Sequence, residues 1–179
     1  MLSVSNDGLT IAAVGRVAGR EHIWHVSKTG EARRMWSFPL TRYSGRLQVG
    51  WASSTDNVAS DGEWVMLCES RALAACKPLI RGDLPAVSPA GKLIAILSSG
   101  KEVSVYDLES NRVVARLRTK MEWAHESPKW GLHSTELVLN EATRQGSELI
   151  VVSLDGKREK YRLNTRGRTT SQNGIVNGF

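Results

Sequence analysis

Short apolar runs separated by turn signals fill almost the whole chain, and their spacing is that of strands. The clearest stretch lies in the middle. Leu84–Val87 is a short apolar segment, followed by Ser88-Pro89-Ala90-Gly91, a turn in which proline fixes φ and glycine tolerates a positive value. Leu93–Leu97 is a continuous apolar run of strand length, which predicts a strand buried on both faces. Ser98-Ser99-Gly100-Lys101 turns the chain into the alternating Val103-Ser104-Val105-Tyr106, and Glu109-Ser110-Asn111 turns it again into Arg112–Leu117. Connections this short join only antiparallel neighbours, so the segment reads as a four-stranded antiparallel unit.

The same order recurs. At the start, Leu2-Ser3-Val4 supplies a very short inner strand, Ser5-Asn6-Asp7-Gly8 the turn, Leu9–Val14 the second strand, His22–Val26 the third and Ala32–Phe38 the fourth. At the end, Ser127-Pro128-Lys129-Trp130 opens a unit. Glu136–Leu139 and Leu149–Val152 continue it, and Leu154-Asp155-Gly156 leads into Lys157–Leu163. The second unit is the most degenerate: Leu47–Trp51, Asn57–Ser60, Trp64–Cys68 and Leu73–Ile80, with a helical turn over Ala72–Cys76 as the alternative. No segment sustains an apolar period of 3.6 residues over more than two turns, so the chain is expected to be all-β.

A lone four-stranded sheet leaves two apolar faces in water, and stacking the next unit covers one of them. Four such units fit residues 1–163, at about 1–38, 46–80, 84–118 and 126–163, and form one expected domain. Residues 164–179 are expected to be a basic and polar tail, either frayed or acting as a covering strand through Ile175, Val176 and Phe179.

Particular strings carry a resemblance. Ser88–Leu97 (SPAGKLIAIL) and Ser5–Val14 (SNDGLTIAAV) resemble the "SPDGK-x-IA" signature of TolB-type and WD-repeat-like β-propellers. Ile23–Arg34 resembles the continuation of the same blade, and Val103–Leu108 resembles the matching position of another. The resemblance implies a β-propeller-like stack of about four four-stranded antiparallel blades. Most propellers of this kind have six to eight blades. This chain is therefore expected to be a small closed ring, half of a ring closed by a second chain as a homodimer, or an open stack with a covered edge.

Composition changes this picture little. The 179 residues, 41% hydrophobic and 23% charged, are ordinary for a globular protein. A net charge of +6 favours nucleic acid, an anionic surface or an acidic protein partner, although no run of five like charges occurs. The N-terminus lacks the charged and apolar regions of a signal peptide, and no apolar run reaches the length of a membrane helix. The expectation is a cytoplasmic chain without membrane attachment. Cys68 and Cys76 lie in apolar stretches and read as buried free thiols.

Candidate chemistry is sparse. The sequence contains no phosphate-binding glycine loop, no zinc-protease motif and no nucleophile elbow. His22 and His25 are an odd spacing apart, which places them on opposite faces of a strand and makes them poor co-ligands. His125, Glu126 and His133 are the only candidates for acid–base chemistry on a propeller-type hydrolase or lyase. Arg81-Gly82-Asp83 has the form of an adhesion tripeptide and reads as a turn.

Six tryptophans are expected mostly to pack between units. Trp123 and Trp130 differ, because they bracket a connection carrying His125 and Lys129. Arg42, Tyr43 and Arg46 lie on the matching connection between the first two units, and Arg118 and Lys120 precede Trp123. In propellers such connections surround one mouth of the ring, so these nine residues are expected to form a basic, aromatic partner-binding rim suited to an acidic or phosphate-bearing ligand. The expected function is a non-catalytic protein-binding module, in one version a small bacterial toxin-neutralising (immunity) protein. Nucleic-acid binding through the basic rim and Arg-rich tail is one alternative, and a propeller-type hydrolase or lyase is another. No catalytic residue, metal or cofactor is expected.

Overall fold

The computed structural model describes residues 2–5, 7–39, 47–53, 55–69, 76–98, 102–119, 127–143, 146–163 and 169–172. These residues contain strands and turns and no helix. The strands are β1 (Leu2–Val4), β2 (Thr10–Val17), β3 (Arg20–Ser27), β4 (Ala32–Pro39), β5 (Gln48–Trp51), β6 (Asn57–Ser60), β7 (Trp64–Cys68), β8 (Lys77–Arg81), β9 (Asp83–Val87), β10 (Leu93–Ser98), β11 (Glu102–Asp107), β12 (Arg112–Arg118), β13 (Lys129–Trp130), β14 (Glu136–Thr143), β15 (Gly146–Ser153), β16 (Arg158–Leu163) and β17 (Thr169–Gln172). They form four antiparallel sheets in simple sequential order: β1–β4, β5–β8, β9–β12 and β13–β17.

One turn recurs and explains why the repeat was visible in the sequence. In Ser5-Asn6-Asp7-Gly8 the Ser5 N–H donates to the Thr10 carbonyl at 2.8 Å, and the Gly8 N–H donates to the Ser5 carbonyl at 2.9 Å. The Ser5 hydroxyl accepts from the Thr10 N–H at 2.9 Å. Ser88-Pro89-Ala90-Gly91 repeats every one of these bonds, with Ser88 Oγ accepting from Leu93 N–H at 3.1 Å. Ser27–Gly30 and Ser153–Gly156 close the same way between third and fourth strands, through the Gly30 and Gly156 N–H groups. All four glycines have φ between 71° and 90°, which a side chain would disfavour.

The chain divides into two compact units, Met1–Val87 and Ser88–Phe179. In the first, one face of the β1–β4 sheet packs on one face of the β5–β8 sheet. Ala12, Ile23 and Trp36 meet Val49, Trp51, Ala59, Met66 and Cys68 in this core. The register explains the choice of face: Ala12 pairs with His25 and Val14 with Ile23, so these residues share one side of the sheet. Val58 and Val65, on the other side of the β5–β8 sheet, are also fully buried, and β9 packs against β5, β6 and β7.

In the second unit, Leu137, Leu139, Ile150 and Val152 form a buried face on the β13–β17 sheet. They lie together because Leu137 pairs with Val152 and Leu139 with Ile150. In β10, Ile94, Ala95 and Ile96 are fully buried, so the continuous apolar run is buried on both faces as its composition requires.

Three features depart from the sequence reading. The fourth strand of the second sheet begins at Lys77, later than the expected Leu73–Ile80, and residues 70–75 lie outside the described residues. The cysteines are not free thiols. Leu67 pairs with Lys77, so Cys68 and Cys76 face each other as the next pair at the mouth of the β7–β8 hairpin. Their Cα atoms are 4.2 Å apart and they are joined as a disulfide. Within the region read as a tail, Thr169–Gln172 pairs with β16 as a fifth strand. Ile175, Val176 and Phe179 lie outside the described residues.

Candidate functional site

Six of the nine rim residues expected from the sequence, Arg42, Tyr43, Arg46, Lys120, Trp123 and His125, lie outside the described residues. The other three belong to the second unit. Arg118 ends β12 with an exposed side chain, and its carbonyl accepts a hydrogen bond from the Arg158 guanidinium. Lys129 and Trp130 form β13, pairing with Val138 and Leu137 respectively. Being neighbours on a strand, they point to opposite faces. Trp130 shares the buried face with Leu137, while Lys129 is exposed on the outer one.

That outer face of the β13–β17 sheet carries a cavity of about 510 Å³. Its walls come from the ends of three strands: Thr135 and Glu136 at the start of β14, Val151 and Ser153 at the end of β15, and Lys157 and Glu159 around the start of β16. The register brings them together, since Glu136 pairs with Ser153 and Val151 with Glu159.

Negative charge dominates this cavity. Asp155 forms an ion pair with Lys157 at 3.4 Å. Its carboxyl is held below the usual range, first by the hydrogen bond from the Ser153 hydroxyl and then by the Lys157 N–H. Glu159 accepts from the Tyr161 hydroxyl at 2.6 Å. That bond, with the charges of Glu159 and Glu136, raises the Tyr161 pKa. The carboxylates of Glu136 and Glu159, which line the cavity beside half-buried Val151 and the Asp155–Lys157 pair, suit a cationic side chain more than an anion. Sequence reasoning did not single out this site. The signal was there in the alternation of Glu136 with Val138, Leu149 with Val151 and Glu159 with Tyr161, but only the strand register shows that these six share one face.

The histidines fall as their spacing predicted. His22 and His25 lie on opposite faces of β3. His22 packs edge-on against Trp24 at 6.2 Å. His25 sits between Trp36 and Trp51, at centroid distances of 5.5 and 4.7 Å, and its Nε2–H donates to Asn57 Oδ1 at 2.5 Å. Asn57 in turn donates to the Gly50 carbonyl at 3.1 Å. This cluster is a structural joint between the two sheets of the first unit.

His133 lies in the turn before β14, while His125 and Glu126 are outside the described residues. Among the described residues no group of three His, Cys, Asp or Glu is placed to hold a metal ion. The Arg81-Gly82-Asp83 tripeptide is used internally. Arg81 stacks over Trp64 at 5.2 Å, and the Asp83 carboxylate accepts from Ser60 Oγ at 3.0 Å and Leu84 N–H at 2.7 Å.

The first unit presents a different surface. Leu2 pairs with Ala13, Val4 with Ile11 and Ile11 with Val26, so these side chains share the face of the β1–β4 sheet opposite the core. Leu2 is 72% exposed, Val4 60% and Ile11 37%. Half-buried Trp24 continues this apolar strip. Two arginines stand on the same face. Arg34 pairs with Trp24, and Arg20, which pairs with Pro39, donates to Ser37.

No family model matches the sequence. No curated protein matches it either. Solved structures do match in fold. TolB from Acinetobacter baumannii superposes with a TM-score of 0.69 at 20% identity, over 87% of this chain and 40% of that one. Kuenenia stuttgartiensis hydrazine synthase gives 0.64 at 13% identity, over 86% of this chain and 45% of that one. An oligogalacturonate lyase in complex with manganese gives 0.63 at 9% identity, over 96% and 52%. This chain thus spans about half the length of those structures or less. With four sequential antiparallel sheets, its fold is β-propeller-like, as the blade signatures implied.

Proposed function

We propose that this chain is a protein-binding module that works by docking partner surfaces on the outer faces of its blade-like sheets. The observation that carries this reading is the strip of Leu2, Val4 and Ile11, exposed at 72%, 60% and 37%, on a sheet whose opposite face is a packed core. Apolar residues gathered on one face of a folded sheet mark an interaction surface. The fold supports the reading, since a blade is a unit that buries its faces against other sheets. The toxin-neutralising version makes the partner the product of a neighbouring gene. Co-expression with that product, followed by purification through a tag on this chain, should yield a stoichiometric complex. Purification of the chain free of any other protein, from cells that express its neighbours, counts against the version.

Nucleic-acid binding is a second reading with its own support, the basic fourth strands. Arg33 and Arg34 in β4, Lys77 and Arg81 in β8, and Arg112, Arg116 and Arg118 in β12 are all exposed. Binding of single-stranded DNA or RNA through such side chains weakens steeply as salt rises. A titration showing no binding at low salt removes this reading.

A further inference from the structure

We propose that the partner of the apolar face on β1–β3 is a second copy of this chain, received on the outer face of its β14–β16. The inference rests on the protein-binding reading and names its surface. The two faces are complementary in charge. The first presents Leu2, Val4 and Ile11 with the exposed guanidinium groups of Arg20 and Arg34, and no carboxylate stands among its strand residues. The second presents half-buried Val138, Leu149 and Val151 with Glu136 and Glu159. Lys129 also lies on this second face, and Lys157 is tied to Asp155. The two glutamates border a cavity of about 510 Å³, which gives an arginine side chain a concave acidic seat beside an apolar wall.

Both faces belong to sheets of the same repeat, whose ordinary way of burying apolar area is to stack on another sheet of the same kind. A contact between two different faces of identical chains is heterologous, so every copy offers one donor face and one acceptor face.

The experiment is sedimentation velocity on the full chain across about a hundredfold range of concentration, with circular dichroism to confirm that each variant is folded. The wild-type chain should self-associate as concentration rises. Ile11→Lys, at the centre of the apolar strip, should leave it monomeric throughout. A charge series runs beside it to separate loss of association from misfolding. Arg20→Glu with Arg34→Glu should weaken association about tenfold or more, Glu136→Arg with Glu159→Arg should do the same, and the four substitutions together should recover it. A wild-type chain that stays monomeric overturns the proposal. So do charge reversals without effect, or a fourfold variant no better than either pair. A monomer that still purifies with a different protein overturns self-association while leaving the protein-binding reading in place.

Discussion

At the residue scale the most informative side chain is His25. It lies between Trp36 and Trp51 with its Nε2–H on Asn57, and burial there pushes its pKa below the ordinary value of 6.5. The Asn57 hydrogen bond opposes that shift, and the positive charge of Arg33 adds to it. The unfolded chain takes up a proton as pH falls through 6.5, while the folded chain resists it. The contribution of this site to stability is therefore present above that pH and is lost as pH falls below it. Urea midpoints at about pH 7.5 and about pH 5.5 should show the loss, and His25→Phe should reduce it. An unchanged difference in the variant would assign the pH dependence to other groups. The sequence made part of this legible, since the odd spacing placed His22 and His25 on opposite faces. It could not show the joint itself, because Asn57 and Trp51 come from a different sheet more than 20 positions away.

At the element scale the strands and their turns were readable because each turn carries its own chemistry. The serine carbonyl accepts from the glycine N–H three positions on and the glycine takes the positive φ, and this pairing recurs at Gly8, Gly30, Gly91 and Gly156. The described fourth strand of the second sheet begins at Lys77, whereas the apolar composition of Ala72–Cys76 invites an earlier start. Composition does not mark where pairing begins there; the opposition of Leu67 and Lys77 does. The same opposition makes the disulfide. Its cysteines are 8 positions apart in sequence, and closing a loop of that size should stabilise the fold by about 2.5 kcal/mol in the chain-entropy model. Cys68→Ala with Cys76→Ala should lower the unfolding free energy by an amount of that order. The difference should vanish when the wild type is measured in reductant.

The basic fourth strands also belong to this scale. Among the described residues, β4, β8 and β12 end their sheets, with a strand neighbour on one side only. Charged side chains at such an edge oppose further pairing. On β12, Val114 is already 44% exposed. Arg112→Val with Arg116→Val should leave the chain folded but prone to aggregate, read as light scattering on warming. A variant as soluble as the wild type would show that these arginines serve something other than edge protection.

At the scale of the whole molecule the sequence revealed the kind of fold and the number of sheets, because a blade is a local object whose strands are consecutive and whose turns are short. The site was far less legible. The expected rim draws its residues from connections, and of its members only Arg118, Lys129 and Trp130 are among the described residues. The outer faces that the structure brings forward are made of ordinary strand residues, Ile11 and Val26 or Val151 and Glu159, which look like any other alternating position until the register shows which side is already packed.

The hairpin bridge between Cys68 and Cys76 has a consequence beyond stability: it makes the chain a reporter of where in the cell it has matured. Glutathione and thioredoxin keep such a pair open in the cytosol, whereas an oxidising space closes it. Trapping thiols with a mass-tagged alkylating reagent at the moment of lysis should therefore sort the two histories, because a closed bridge takes up no tag and an open pair takes up two.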